Sequence, residues 1–201
     1  MRLIASILAV SLFLSSCEGD DPAASGKGRV ELVFKGTYGN APMITGETYD
    51  YFGRGTIFLS KMEFYLSHIQ MRNPSDSALL TDVEYILMSE GQTDSAKAVK
   101  GVTLVFDQVP AGSYQSLEFN LGLTREQNKT QPADYSATHP LGEGTRYWAG
   151  WNSYIYSKTE GVLVAGANHY NFTYHSGFDN AVRFVKLPGA FEVRSGETRK
   201  L

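Results

Sequence analysis

The side chains able to do chemistry are few: four histidines (His68, His139, His169, His175), two close tryptophans (Trp148, Trp151) and a single cysteine, Cys17. Imidazole is the commonest metal-ligating side chain, and a histidine that does not ligate is a hydrogen-bonded or surface group. His169 and His175 fall in one strand-like run, HYNFTYH. Their even separation places both on one face, but roughly 20 Å apart at the ordinary strand rise. Unless the strand bends they cannot share a metal, so each needs donors from elsewhere. Residues 147–156 (YWAGWNSYIY) are the most aromatic stretch. Trp148, Trp151 and Tyr154 there read as core anchors under a loop, as a stacking platform for a sugar or peptide, or as a redox-active tryptophan beside a metal.

Cys17 stands at a different kind of site. Arg2, an apolar run over residues 3–14 and the small residues Ser15 and Ser16 precede it. That order is the pattern of a secretory signal, and the run is shorter than the roughly 20 residues of a spanning helix. Leu14-Ser15-Ser16-Cys17 also resembles the lipobox of bacterial lipoproteins. Residues 1–16 are therefore expected to be removed and Cys17 to carry lipid. No free thiol would remain, which excludes disulfides, thiolate metal sites and cysteine nucleophiles. Residues 17–28 are polar and contain Gly and Pro, as a lipidated flexible tether would. Residues 29–201 are left as one domain. The expected location is the outer membrane, facing the periplasm or the cell surface.

Composition narrows the function. The whole chain has 18 basic and 21 acidic residues, a net charge of −3. A mildly acidic chain without a basic run argues against nucleic acid as partner. No G-x-S-x-G, H-E-x-x-H, P-loop or dinucleotide-binding glycine pattern occurs. The only adjacent acid pair, Asp20-Asp21, lies in the tether. A binding protein rather than an enzyme is expected.

The elements that must position these residues are strands. Residues 29–34 (RVELVF) read as the first. Residues 102–106 and 114–121 alternate on either side of Pro110-Ala111-Gly112-Ser113 and read as a hairpin. Residues 154–157, 169–174, 182–187 and 191–193 are further short strands. Residues 57–69 carry both helical spacing and strand-like triplets, and strand is preferred. Residues 76–81 and 91–100 read as polar loops; each holds an Asp-Ser-Ala triplet resembling bacterial O-glycosylation sites. After residue 193 the expectation is either a final strand that begins at Thr198 and is clipped, or a sheet edge left open. The pattern predicts an all-β antiparallel β-sandwich.

Four blocks in order carry a family resemblance. They are residues 58–69 (FLSKMEFYLSHI), residues 109–123 (VPAGSYQSLEFNLGL), residues 147–161 with Lys158, Glu160 and Gly161, and residues 172–177 (FTYHSG). Over residues 29–195 the chain resembles the MbnP-like copper-binding proteins, which are associated with methanobactin gene clusters and occur as Bacteroidetes lipoproteins. The resemblance implies a β-sandwich outside the cytoplasm that binds copper for sequestration or handover. In some members a tryptophan is oxidised to kynurenine by a di-haem peroxidase-like partner and helps bind the metal. By position Trp148 and His175 match the family's tryptophan and histidine, with His68, His169 or His139 to complete the set. Three positions depart from the pattern. Gly150 stands where a second tryptophan is expected, with Trp151 one place later; Ser153 replaces a glycine; and His68 replaces an asparagine.

Overall fold

A computed structural model describes residues 26–201. The expected signal segment, Cys17 and the tether as far as residue 25 lie outside the described residues. β1 (Lys27–Phe34) starts inside the segment read as tether. Lys27 and Gly28 pair with Pro110 and Val109, and Gly28 is buried, so the domain begins two residues earlier than composition suggested.

Five strands follow: β2 (Thr37–Tyr38), β3 (Ala41–Pro42), β4 (Thr48–Asp50), β5 (Thr56–Arg72) and β6 (Ser77–Leu87). Short helices α1 (Met88–Gly91) and α2 (Ser95–Lys100) lead to β7 (Val102–Pro110) and β8 (Gly112–Leu121). After α3 (Arg125–Asn128) comes a long coil with 3-10 turns, then β9 (Tyr147–Trp148), β10 (Ser153–Ala165), β11 (Asn168–Gly177), β12 (Arg183–Val193) and β13 (Thr198–Lys200). No described helix is long and apolar enough to cross a membrane.

Neither expected polar loop is a loop throughout. Residues 77–81 belong to β6, where Ala78 is buried between exposed neighbours with the period of a half-covered strand. Residues 95–100 form α2, because Asp94 caps it by accepting the Lys97 backbone N–H and Ala and Lys follow. The Asp-Ser-Ala triplets at both places thus sit at the start of regular elements.

β7 and β8 are not a hairpin. β7 pairs with β1, whereas β8 pairs with β5 and β12, so residues 110–112 carry the chain from one sheet to the other. Alternation marks both strands but does not say which strand lies beside which. Tight hairpins instead join β2 to β3 and β10 to β11, and the register of the second runs to Ala165 opposite Asn168. Only Gly166 and Ala167 lie between, and Gly166 (φ 60°) takes the positive φ that a two-residue turn needs. At the C-terminal end, β13 lies parallel to β1, and the Val33 N–H donates to the Leu201 carbonyl. The small sheet is therefore β13-β1-β7, and the large one runs β11-β10-β5-β8-β12 with β4, β6 and β9 attached.

β5 organises the large sheet. Phe58 pairs with both Thr48 and Val162, Phe64 with both Ile86 and Ser157, and Leu66 with both Glu84 and Leu121. A strand residue has two neighbours, so β4 and β6 follow one another along one edge of β5, and β10 and β8 along the other. His68 sits at a bulge with φ 51°. The extra residue lets Leu66 and Ile69, three apart, enter the same core.

Consecutive strand residues face opposite ways, so Tyr65 and Leu66 enter different cores. Leu66, Ile69 and Met71 meet Val30, Leu32, Phe106, Val109, Leu117 and Phe119 between the two sheets. On the other face Tyr65, Val83, Leu123, Leu141, Tyr154 and Tyr156 pack beneath the coil that precedes β9. Two phenols pin that coil: Tyr65 donates to the Pro140 carbonyl and Tyr154 to the Leu141 carbonyl, each at 3.0 Å. Burial pushes the Tyr154 phenol up to about 12.

Candidate metal centre

The Tyr65 face of β5 continues across β10 to β11. Glu63 lies opposite Lys158, which lies opposite His175; Lys61 lies opposite Glu160, which lies opposite Thr173. Charged and polar side chains therefore tile one face where these strands meet. Glu160 is diagonal to His175, within the reach of such pairs. Its Oε1 lies 2.8 Å from His175 Nε2. An ionised carboxylate only accepts, so Nε2 carries the proton and the lone pair of the ring lies on Nδ1. A carboxylate behind an imidazole fixes ring orientation and raises its basicity toward a metal.

Lys158 is buried beside this pair. Its ammonium donates to the Thr145 carbonyl at 2.9 Å, tying the coil to the sheet, and burial lowers its pKa. Arg146 lies over the Tyr85 ring at 3.8 Å, and Tyr85 donates to Glu63 at 2.7 Å.

Both tryptophans come from the tight connection between β9 and β10. Trp148 pairs with Ser153, the Trp151 N–H donates to the Trp148 carbonyl, and Asn152 takes φ 50°. The indole of Trp148 folds over residue 150, where a Cβ would lie 2.7 Å from its Nε1. Gly150 thus leaves room for the Trp148 indole. Trp151 lies 6.0 Å from Trp148 and 5.3 Å from Phe178, ring centre to ring centre. A hollow of about 220 Å³ is lined by Trp148, Trp151, Thr173 and His175.

The remaining histidines are elsewhere. His68 and His139 line a second hollow with Asp82, Thr124, Gln127 and Tyr135. His139 stacks on Tyr135 at 4.3 Å, and its Nδ1 accepts the Leu141 N–H at 3.1 Å. Its other nitrogen then carries the proton and presents a donor, not a lone pair. His169 lies opposite Val164 near the β10–β11 turn, at the other end of β11 from His175. The fold thus brings His175 to Trp148 and Trp151 but not to His68, His139 or His169. The strand between His169 and His175 does not bend enough to close the gap, because its register against β10 is unbroken from residue 168 to 176.

Tyr154 is also outside the aromatic loop. It is fully buried in the second core, and Phe178 takes its place beside Trp151. Glu160 was missed as a partner of His175; its signal was the alternation of Lys158 and Glu160, which needs the β10–β11 register to be read. Among the described residues no three His, Cys, Asp or Glu side chains gather as a metal cluster. With Glu160 engaged by its Nε2–H, His175 offers one open nitrogen, fewer donors than a protein metal cage commonly uses.

Fold and site define a class: a β-sandwich with one imidazole–carboxylate pair set beside exposed indoles on a sheet face. Its family can be stated more closely. The MbnP family model matches residues 27–201, and the chain belongs to that family. Among solved structures the chain is similar to MbnP from Methylosinus trichosporium, with 14% identity, a TM-score of 0.49, and coverage of 84% of this chain and 71% of that one. No curated protein matches the chain.

Proposed function

We propose that the protein is an exported, lipid-anchored copper-binding protein that sequesters or hands on copper without catalysing a reaction. The observation that carries the reading is His175, held by Glu160 and opening with Trp148 and Trp151 into one hollow. Imidazole suits copper, and copper(II) tops the divalent affinity order at nitrogen and oxygen sites. Trp148 adds a donor once modified. Unmodified indole offers only an N–H, whereas kynurenine presents an amine and a carbonyl. The conversion adds two oxygen atoms across the C2–C3 bond, as from two peroxides that leave as water; hydrolysis then releases formate. A di-haem peroxidase-like partner is the proposed catalyst, with peroxide as the oxidant, and Trp148, half exposed, is open to it. The anchor is Cys17, and the domain faces the periplasm or the cell surface.

The test is metal analysis after reconstitution. The protein retains close to one copper per chain, His175→Ala loses it, and His68→Ala and His139→Ala keep it. Protein that holds no copper at micromolar free metal overturns the reading. Intact mass of protein from the native host checks the chemistry at both ends: lipid on Cys17, and one oxygen more and one carbon less in the Trp148 peptide.

A second reading is favoured by the exposed row Trp148, Trp151 and Phe178, which could stack on a sugar or peptide. It expects tryptophan emission to shift on ligand addition regardless of chelators.

A further inference from the structure

β11 is a free edge. Among the described residues it pairs with β10 alone, and its ten residues, NHYNFTYHSG, contain no Asp, Glu, Lys, Arg or Pro. Every other long free edge among the described residues carries such a guard. β7 has Asp107 and Pro110, β6 has Asp82 and Glu84, and β12 has Arg183, Lys186, Pro188 and a bulge. Proteins protect edges in this way because an unguarded edge recruits another strand.

The sequence of β11 indicates which strand. Residues 169–175 read H-Y-N-F-T-Y-H, a near palindrome about Phe172. In an antiparallel pair of two identical strands centred on Phe172, Tyr170 faces Tyr174, Asn171 faces Thr173 and His169 faces His175. This register keeps each face of the sheet continuous, because residues of equal parity oppose one another. It also forms a closed two-fold contact of the kind most homodimers use. Tyr170 and Tyr174 are both more than half exposed in the single chain, as a pair awaiting a cross-strand partner would be.

We infer that two copies of this chain pair through β11, and that His169 of the partner subunit completes the His175 centre of each. The inference rests on the copper reading and supplies what a single chain lacks. Directly opposite side chains have Cβ atoms about 4.5–5.5 Å apart, close enough for two imidazoles to hold one ion. His169 and His175 of one strand, too far apart to cooperate, then serve two symmetric sites. In each site His175, oriented by Glu160 of its own subunit, meets the partner's His169.

The test uses the full chain bearing Cys17→Ser, so that lipid does not drive association. Sedimentation shows a dimer. Tyr170→Lys with Tyr174→Lys sets lysine against lysine and yields monomer, whereas Tyr170→Lys with Tyr174→Glu sets lysine against glutamate and restores the dimer. His169→Ala and His175→Ala chains each lose copper. Mixed and exchanged, they recover about a quarter of the wild-type capacity, since half the dimers are mixed and each of those has one intact site. A His169→Ala chain that keeps wild-type copper while His175→Ala loses it overturns the shared site and leaves copper binding standing. A wild-type chain that sediments as monomer with copper bound overturns it equally. Copper retained by His175→Ala overturns the copper reading itself.

Discussion

Which nitrogen of an imidazole is free depends on the bond the other one makes, and His139 and His175 fall on opposite sides of that distinction. The backbone N–H of Leu141 occupies the lone pair of His139, while Glu160 occupies the proton of His175 and leaves its lone pair open. Sequence offers the two as equals. Another carboxylate shows the same dependence on neighbours. Glu118, buried on β8, receives Lys186 at 3.0 Å and Ser116 at 2.9 Å, with Arg72 at 3.9 Å. The Lys186 bond in particular holds its carboxyl below the ordinary 4.5. A carboxyl lowered by folding stabilises the fold above the unfolded value and loses that effect as pH falls through the folded one. Lys186→Met should therefore destabilise by about 1–3 kcal/mol at neutral pH. The gap to wild type should shrink below about pH 4.5. Denaturant midpoints at pH 7 and pH 3 check this, and a gap of constant size sinks it.

Among the elements, β5 shows how one residue sets a sheet. The bulge at His68 shifts the alternation by one, so residues before it and after it feed the same core. A non-glycine residue at positive φ is strained, and a β-branched one more so. His68→Gly should leave stability unchanged or raise it slightly, and His68→Val should lower it by about 1–3 kcal/mol. Thermal unfolding of the two variants decides: a Gly variant as unstable as the Val variant would mean that the imidazole, not the backbone, matters there. The strand itself was legible, since triplets such as FYL and IFL do not suit an amphipathic helix. So were β1, β8, most of β11 and β12, and the first turn-proximal residues of β10, 154–157, out of its span Ser153–Ala165. What alternation does not encode is adjacency. It cannot distinguish a chain reversal within one sheet from a crossing between two, hence the false β7–β8 hairpin. For the same reason Trp148 and His175 were legible as chemistry-bearing residues, while their nearness, and the role of Glu160, required the β10–β11 register. Polar helices such as α2 escaped because a cap followed by Ala and Lys resembles a loop in composition.

Across the whole molecule the two cores divide the labour. The core around Leu66 joins the two sheets, so its loss affects every strand. The core around Leu141 instead clamps the coil between α3 and β9 onto the sheet, together with the Tyr65, Tyr154 and Lys158 bonds. That coil leads directly into β9 and the turn that aims Trp148. Regions resting on few apolar contacts open locally before the fold unfolds globally. Leu66→Ala and Leu141→Ala each remove a fully buried leucine and should cost about 2–5 kcal/mol by the usual measure of such deletions. Their consequences should differ in kind. Leu66→Ala should lower the global unfolding midpoint while the folded fraction keeps its copper. Leu141→Ala should instead admit protease to residues 131–146, shift tryptophan emission to the red and weaken copper retention at temperatures where the sheets stay folded. Limited proteolysis with mass mapping separates the cases. Cleavage spread evenly over both variants would mean that the two cores melt as one, and that the site is as rigid as the sandwich beneath it.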